Sequence, residues 1–217
     1  TILRAVRVVA PAGVPLVGVN MGRVGYLTEL PAKDAGRRME AFVDGKGWVE
    51  ERTMLEAQVL GPDGRPRDGA MGTPPFHALN DAVVGQGMVA RMIFVDVLVD
   101  GHPLANYAAD AVIVATATGS TGYALSAGGP VLYPESASLL VKPVSPQLAT
   151  DAGVVLPPES VVDLAVRSNG YATLTLDGFV DLPVTPGETV RIRTSPHRAR
   201  FLRRGAPHRL PGVLTQR

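Results

Sequence analysis

Residues 116–123 read TATGSTGY, so that Thr116, Thr118, Ser120 and Thr121 place four hydroxyls around Gly119 and Gly122, with the ring of Tyr123 directly behind. Short donors, exposed N–H groups and close backbone approach are what hold a sugar or a phosphate. The same residue types cap helices and close ordinary turns, so this stretch alone leaves both readings open. Asn80-Asp81 is a second candidate. The pair sits inside the apolar run ALNDAVV at 78–84, where an apolar residue would be cheaper to bury. A carboxylate accepts from two vicinal hydroxyls and a carboxamide both donates and accepts, which suits a diol; an Asx turn capping a strand is the alternative. Tyr123 can stack on a nucleobase, worth ~1–3 kcal/mol by analogy with nucleic-acid platforms, or it can simply pack. Asp110 can cap a turn or accept from an exocyclic amine.

Other chemistries drop out by motif. Of His77, His102, His197 and His208 no two stand at metal-ligand spacing, and neither an H-E-x-x-H helix nor a G-x-S-x-G elbow occurs. The glycines at Gly18, Gly22 and Gly25 depart from the dinucleotide fingerprint, and no P-loop is present. With no cysteine there is neither a disulfide scaffold nor a thiolate metal site. The 21 Lys and Arg balance 20 Asp and Glu, so no global charge excess argues for nucleic acid or an acidic membrane. No apolar run approaches the ~20 residues of a membrane span. A soluble, cytoplasmic protein is the expectation.

The elements that must position these residues can be read from pattern. Residues 111–115, AVIVA, alternate small and β-branched side chains, which reads as a strand buried on both faces. ILRAVRVVA at 2–10 puts Ile2, Leu3, Val6 and Val9 on one side of a helix. Thr1 runs straight into that helix with no initiator Met, which points to residues preceding it. VPLVGV at 14–19 reads as a short buried strand, and helix, strand and Gly-rich turn make an α/β fragment, half of a doubly wound unit. Residues 31–47 read as a polar helix. Beyond it, strands are expected over 48–60, 78–84, 90–99, 111–115, 161–166, 172–176 and 189–193. Turns at Asp100-Gly101, Asn169-Gly170 and Asp177-Gly178 punctuate them, and 61–75 is the candidate for a mobile loop. Many strands with 24 Gly and 19 Pro favour a β-sandwich-like second domain.

Several separated stretches together resemble the NAD kinase family: GVPLVGVNMGRVGYLTEL (13–30), ALNDAVV (78–84), ARMIFVDVLVDG (90–101), YAADAVIVATATGSTGYALSAGGPVLYP (107–134), KPVSPQ (142–147) and LTLDGFVDLPVTPGETVRIRTSP (174–196). The resemblance implies an enzyme that moves a phosphoryl group from ATP or polyphosphate, with Mg²⁺, to the 2′-hydroxyl of the adenosine ribose of NAD. It also implies that Thr1 closes a GGDGT loop whose aspartate is the general base, so no catalytic residue falls within 1–217. Residues 1–32 are then the end of an N-terminal Rossmann-like α/β domain, to which 195–217 return, and 33–194 form a β-rich, sandwich-like NAD-binding domain.

By position, the resemblance gives Asn80 and Asp81 to the ribose hydroxyls, Arg91 to a variable NAD contact, and Asp110 to a Y-x-x-D motif that can reach into a neighbouring subunit's site. Thr121, Gly122, Tyr123, Ala124, Leu125 and Ser126 line the nucleotide, with Tyr123 the stacking ring. The partners are small nucleotides and further copies of the chain, as a homodimer or homotetramer, with no protein metal site. A non-catalytic NAD-binding protein and a lipid kinase of the same superfamily are the alternatives. Gly122 stands where the family usually has Ala, and Phe179 where it usually has Gln.

Overall fold

The computed structural model describes residues 2–22, 27–67, 75–86, 92–147, 149–167 and 172–204. They group into two compact units, one made of the described residues up to Arg52 with His197 to Arg204, the other of Thr53–Pro196. Residues 33–52 fall in the first.

In the first unit the helix α1 (Ile2–Val9) buries Val6 and ends in a 3-10 turn, Ala10–Ala12, closed by Gly13 at φ 65. The expected 14–19 strand is shorter than its apolar pattern suggested. Leu16 makes only an isolated parallel bridge to Phe201, and the ladder itself is β1 (Val19–Asn20) beside β2 (Leu30–Pro31). Gly18 is needed there, since a Cβ would sit 2.7 Å from the Leu27 carbonyl oxygen. The helix α2 (Ala35–Val43) follows.

Twelve further strands are described: β3 (Trp48–Leu60), β4 (Phe76–Ala78), β5 (Asp81–Gln86), β6 (Ile93–Val99), β7 (His102–Ala109), β8 (Ala111–Ala115), β9 (Leu139–Val144), β10 (Val154–Leu156), β11 (Val162–Val166), β12 (Ala172–Leu176), β13 (Val180–Val184) and β14 (Thr189–Arg203). A one-turn helix, α3 (Tyr123–Ser126), stands between β8 and β9. The long strands β3 and β14 give their residues from Thr53 onward and up to Pro196 to the second unit, and the rest to the first.

Within the first unit the basic end of β14 is held by acids of β3. The Arg200 Nε donates to the Glu51 carboxylate at 2.9 Å and the buried Arg203 Nε to that of Glu50 at 2.7 Å. Burial works to raise the Glu50 carboxyl, but Arg52 and Arg203 outweigh it and hold the group below its ordinary range.

The second unit is a sandwich of two six-stranded sheets, ordered β10-β9-β8-β5-β12-β13 and β4-β3-β14-β11-β6-β7. Alternating residues from both sheets, among them Val84, Val95, Val112, Val141, Leu164, Leu174 and Ile192, meet in one buried core. This is the β-sandwich that the strand and turn pattern predicted. The central strand β8 is buried at all five positions, as its composition demanded. Val112 and Val114 enter the inter-sheet core, while Ile113 and Ala115 join Ala117, Ala124, Leu132 and Leu140 in a second cluster on the outer face.

The turn at Asp100-Gly101 has both residues at positive φ, 53 and 79, the geometry a tight hairpin requires. The expected Asn169-Gly170 turn and residues 68–74 of the expected mobile loop lie outside the described residues. The earlier part of that loop folds back on β3, with the Arg67 N–H donating to the Val59 carbonyl at 2.8 Å. The Arg67 guanidinium also reaches the Glu188 carboxylate at 2.7 and 2.8 Å. Among the described residues no helix is long and apolar enough to cross a membrane.

Candidate functional site

The outer face of the first sheet carries the site. In β5 the side chains of Asp81 and Val83 point away from the sandwich core that takes Ala82 and Val84. Thr175 on β12 is the cross-strand neighbour of Val83, and Ala115 on β8 that of Asp81. A cavity of about 390 Å³ is lined by Asn80, Asp81, Val83, Tyr123, Thr175, Asp177 and Gly178. That is within the roughly 300–1,000 Å³ usual for small-molecule sites.

The backbone corner that presents Asn80 and Asp81 is fixed from two sides. On one side the Thr116 N–H donates to the Asn80 carbonyl at 2.9 Å and the Thr116 hydroxyl to the Leu79 carbonyl at 2.6 Å. The same Thr116 hydroxyl oxygen accepts the Gly119 N–H at 3.1 Å. Gly119 lies so close that a Cβ there would be 2.0 Å from the Asn80 oxygen. On the other side Asp177 occupies the left-handed region, φ 51, in the three-residue loop joining β12 to β13. Its carboxylate accepts from the N–H of Leu79 at 2.9 Å, Asn80 at 2.7 Å and Asp81 at 3.3 Å. Three consecutive backbone donors aimed at one carboxylate form an anion nest, filled here by the chain's own side chain.

Asp81 is 7% exposed, and burial, then the neighbouring Asp177 charge, push its carboxyl up to about 7. Near neutral pH it is therefore both a donor and an acceptor in a large share of molecules. Among the described residues no lysine, arginine or histidine lines the cavity to offset this.

Three hydroxyls of the 116–121 turn bond within the chain. Ser120 donates to the Ala117 carbonyl at 2.7 Å and accepts the Leu132 N–H at 2.9 Å, and Thr121 donates to the Thr118 carbonyl at 3.1 Å. With Thr116 they hold the turn to itself and to the 79–81 corner. What the turn delivers to the cavity is Tyr123, 45% exposed at its rim.

Of the other expected residues, Gly122 is half-buried beside the site, where a Cβ would be 4.0 Å from an Asp81 carboxylate oxygen and 3.2 Å from the Gly119 carbonyl. Ala124 is fully buried in the outer-face cluster, Leu125 is half-buried, and the exposed Ser126 donates to the Gly122 carbonyl at 3.4 Å. Arg91 lies outside the described residues. Asp110 is exposed at the opposite end of β8, the length of that strand (~13 Å at 3.3 Å per residue) from the position paired with Asp81.

Sequence reasoning passed over Thr175, Asp177 and Gly178. Asp177-Gly178 was read only as hairpin punctuation, and its pairing with Asn80 spans 97 residues. The tight 3.2 Å approach at Gly122 leads to a first prediction. Gly122→Ala needs only a few tenths of an ångström of give, so it should change the denaturation midpoint and ligand affinity little, by less than about 1 kcal/mol. A larger loss in urea melts would show that this turn cannot relax.

Comparison with known proteins bears on the whole chain. Residues 79–204 match the family model of the ATP-NAD kinase C-terminal domain, and residues 1–47 that of the ATP-NAD kinase N-terminal domain. An NAD kinase of Dehalococcoides mccartyi is 44% identical over 203 residues, covering 94% of this chain and 69% of that protein. One from Symbiobacterium thermophilum is 44% identical over 207 residues, covering 94% and 70%. Among solved structures, an NAD kinase from Archaeoglobus fulgidus in complex with ATP superposes with a TM-score of 0.77 at 28% identity, covering 94% of this chain and 74% of its own. Yeast NADH kinase complexed with NADH gives a TM-score of 0.87 at 24% identity, covering 99% and 62%, which bears on the fold alone.

Proposed function

The chain belongs to the ATP-NAD kinase family, and from that premise we propose that it serves the transfer of a phosphoryl group from ATP or polyphosphate to the 2′-hydroxyl of the adenosine ribose of NAD. The observation that supports this most is the convergence of Asn80, Asp81 and Tyr123, from separate parts of the chain, on one cavity. In this reading Asp81 and Asn80 hold the ribose hydroxyls, as acceptor and as mixed donor and acceptor, and the exposed Tyr123 ring stacks on the adenine. A ribose so held has its 2′-hydroxyl, the acceptor, fixed in direction. Fixed direction is most of what phosphoryl transfer asks of a protein, since the step needs an in-line acceptor, a base and charge neutralisation rather than covalent chemistry.

The base is not among residues 1–217: the resemblance assigns it to a GGDG aspartate, and no such motif occurs in this sequence. The chain therefore supplies the acceptor-holding half of the reaction. Among the described residues no group of three or more His, Asp or Glu could hold a metal. Mg²⁺, which the family implies, has no protein cage of its own in these residues and is proposed to come with the donor phosphates, as is usual for that ion. Asp110, exposed and away from the cavity, is proposed to serve a neighbouring subunit's site, which makes a homodimer or homotetramer part of the same reading. So is a cytoplasmic location.

The assay is direct. Supplied with NAD, ATP and Mg²⁺, the protein in its complete natural form is expected to yield NADP, while the 217-residue chain by itself is expected to bind NAD without turning it over. Absence of NADP in the first assay would end the enzymatic claim, and absence of NAD binding in the second would end the assignment of the cavity.

A further inference from the structure

We propose that Asp177 is the positioning residue of the ligand-facing corner: its carboxylate gathers the backbone N–H groups of Leu79, Asn80 and Asp81, and so aims the side chains of Asn80 and Asp81 into the cavity. The proposal rests on reading that cavity as the NAD site. The geometry is specific. One carboxylate takes three consecutive N–H groups at 2.9, 2.7 and 3.3 Å, and the Asp177 N–H in turn donates to the Asp81 carbonyl at 3.1 Å. The hairpin loop and the corner are thus tied by four hydrogen bonds across about a hundred residues of sequence. Charge-assisted bonds of this kind are stronger and more directional than neutral ones. A hairpin needs Asp-Gly only for its turn, so a residue that is 8% exposed and whose carboxylate takes three N–H groups of a second segment has a role beyond closing the loop.

Asp177 also acts on Asp81 through space. Among the described residues that line the cavity, the titratable groups facing Asp81 are Asp177, from the β12–β13 loop, and Tyr123, from α3; Asp181 on β13 is engaged by the Thr175 hydroxyl at 2.6 Å. Two carboxyls this near cannot both be charged without cost, so Asp177 adds to burial in keeping a proton on Asp81. A ribose diol donating two hydroxyls favours the ionised Asp81. NAD binding should accordingly release a proton, over a pH range that Asp177 helps to set.

The test is Asp177→Asn. Asparagine tolerates the left-handed backbone at φ 51, so the loop keeps its shape while losing the charge and one acceptor. Two readouts are taken on the same chain. In carboxyl-carbon NMR titrations without ligand, the Asp81 midpoint is expected to fall by about one unit in the variant. In calorimetric titrations with NAD, the dissociation constant at pH 8, where Asp81 is largely ionised in both forms, is expected to rise about tenfold through the loosened corner. An unchanged Asp81 midpoint, or a midpoint that moves while NAD affinity at pH 8 does not, overturns the proposal. If wild-type chain binds no NAD, the cavity assignment fails, and the NMR arm still decides what Asp177 does to Asp81. Should the variant not fold, hydrogen exchange on the wild type decides: the Leu79 and Asn80 amides must exchange as slowly as ladder amides such as Val83, and loop-like rates would overturn the clamp. A merely structural role would lower the melting temperature without moving the Asp81 titration.

Discussion

Gly119→Ala is expected to cost on the order of 3 kcal/mol of stability and to abolish most of the NAD affinity of the chain. An added Cβ would stand 2.0 Å from the Asn80 carbonyl oxygen, 2.4 Å from its carbon and 2.8 Å from its Cα. All three are backbone atoms, so no side-chain rotation relieves the overlap. Nor can the corner retreat, because Asp177 holds its N–H groups from the far side and Thr116 holds the Leu79 and Asn80 carbonyls. The turn must lift, and with it goes the segment that covers Ile113, Ala115 and Leu140 and carries Tyr123. Urea denaturation followed by NAD titration of the folded fraction checks both parts. A variant with wild-type midpoint and affinity would mean that Gly119 and Asn80 are not packed in this way. Gly129 is a milder case of the same constraint, its Cβ position lying 2.8 Å from the Ala124 carbonyl.

Much of this arrangement was legible in the chain because it is local. The five residues of β8 announce a strand with no wet face, and the structure puts a core on each side of it. Asn80, Asp81 and Tyr123 were legible because each is the wrong residue for a purely apolar packing role. The NAD kinase resemblance, and the kinase class it implies, agree with what the relatives show along 94% of the chain. What stayed hidden depends on distant partners. The strand β14 runs on to Arg203, ten residues past its expected end, because Glu56, Glu51 and Glu50 on β3 pair with Arg193, Arg200 and Arg203 and let a basic stretch lie in a sheet. The edge strand β7 was overlooked for a related reason: HPLANYAA has no apolar alternation until Tyr107, since its first residues face solvent. Lys142, in β9, is a buried lysine that local pattern would place outside. Its ammonium is met by the Asp151 carboxylate and carbonyl oxygens, again a partner that sequence order does not reveal. The internal bonds of the hydroxyl-rich turn were hidden too: Thr116, Ser120 and Thr121 are buried and donate to nearby backbone carbonyls, which only the third dimension shows.

Replacing Asp81 by asparagine should raise the stability of the unliganded fold at alkaline pH while weakening NAD binding, a pair of effects with opposite sign. In the unfolded chain this carboxyl ionises near its ordinary 3.8; in the folded chain it does so at about 7. Between those values the native state keeps a proton that the unfolded state has released, so the contribution of Asp81 to stability is complete below about pH 4 and is lost as the pH rises through 7. The full span corresponds to at most ~4 kcal/mol at 1.36 kcal/mol per unit. Asparagine, isosteric and neutral, does not titrate, so the stability advantage of Asp81→Asn over the wild type should be near zero at pH 4 and grow by a few kcal/mol, on the order of 2–4, by pH 8. Urea melts across that range measure it, and parallel curves for the two proteins would mean that Asp81 is neither buried nor coupled as described. The opposite sign belongs to the ligand. An amide offers one acceptor oxygen where the carboxylate offers two, and leaves one ribose hydroxyl unpaired, so NAD affinity at pH 8 should fall by ~1–3 kcal/mol. On the proposed reading of the cavity, residue 81 is a group that strains the empty protein near neutral pH and whose charged form the diol takes, so that the stability lost to that charge measures how strongly the site is prepared for its ligand.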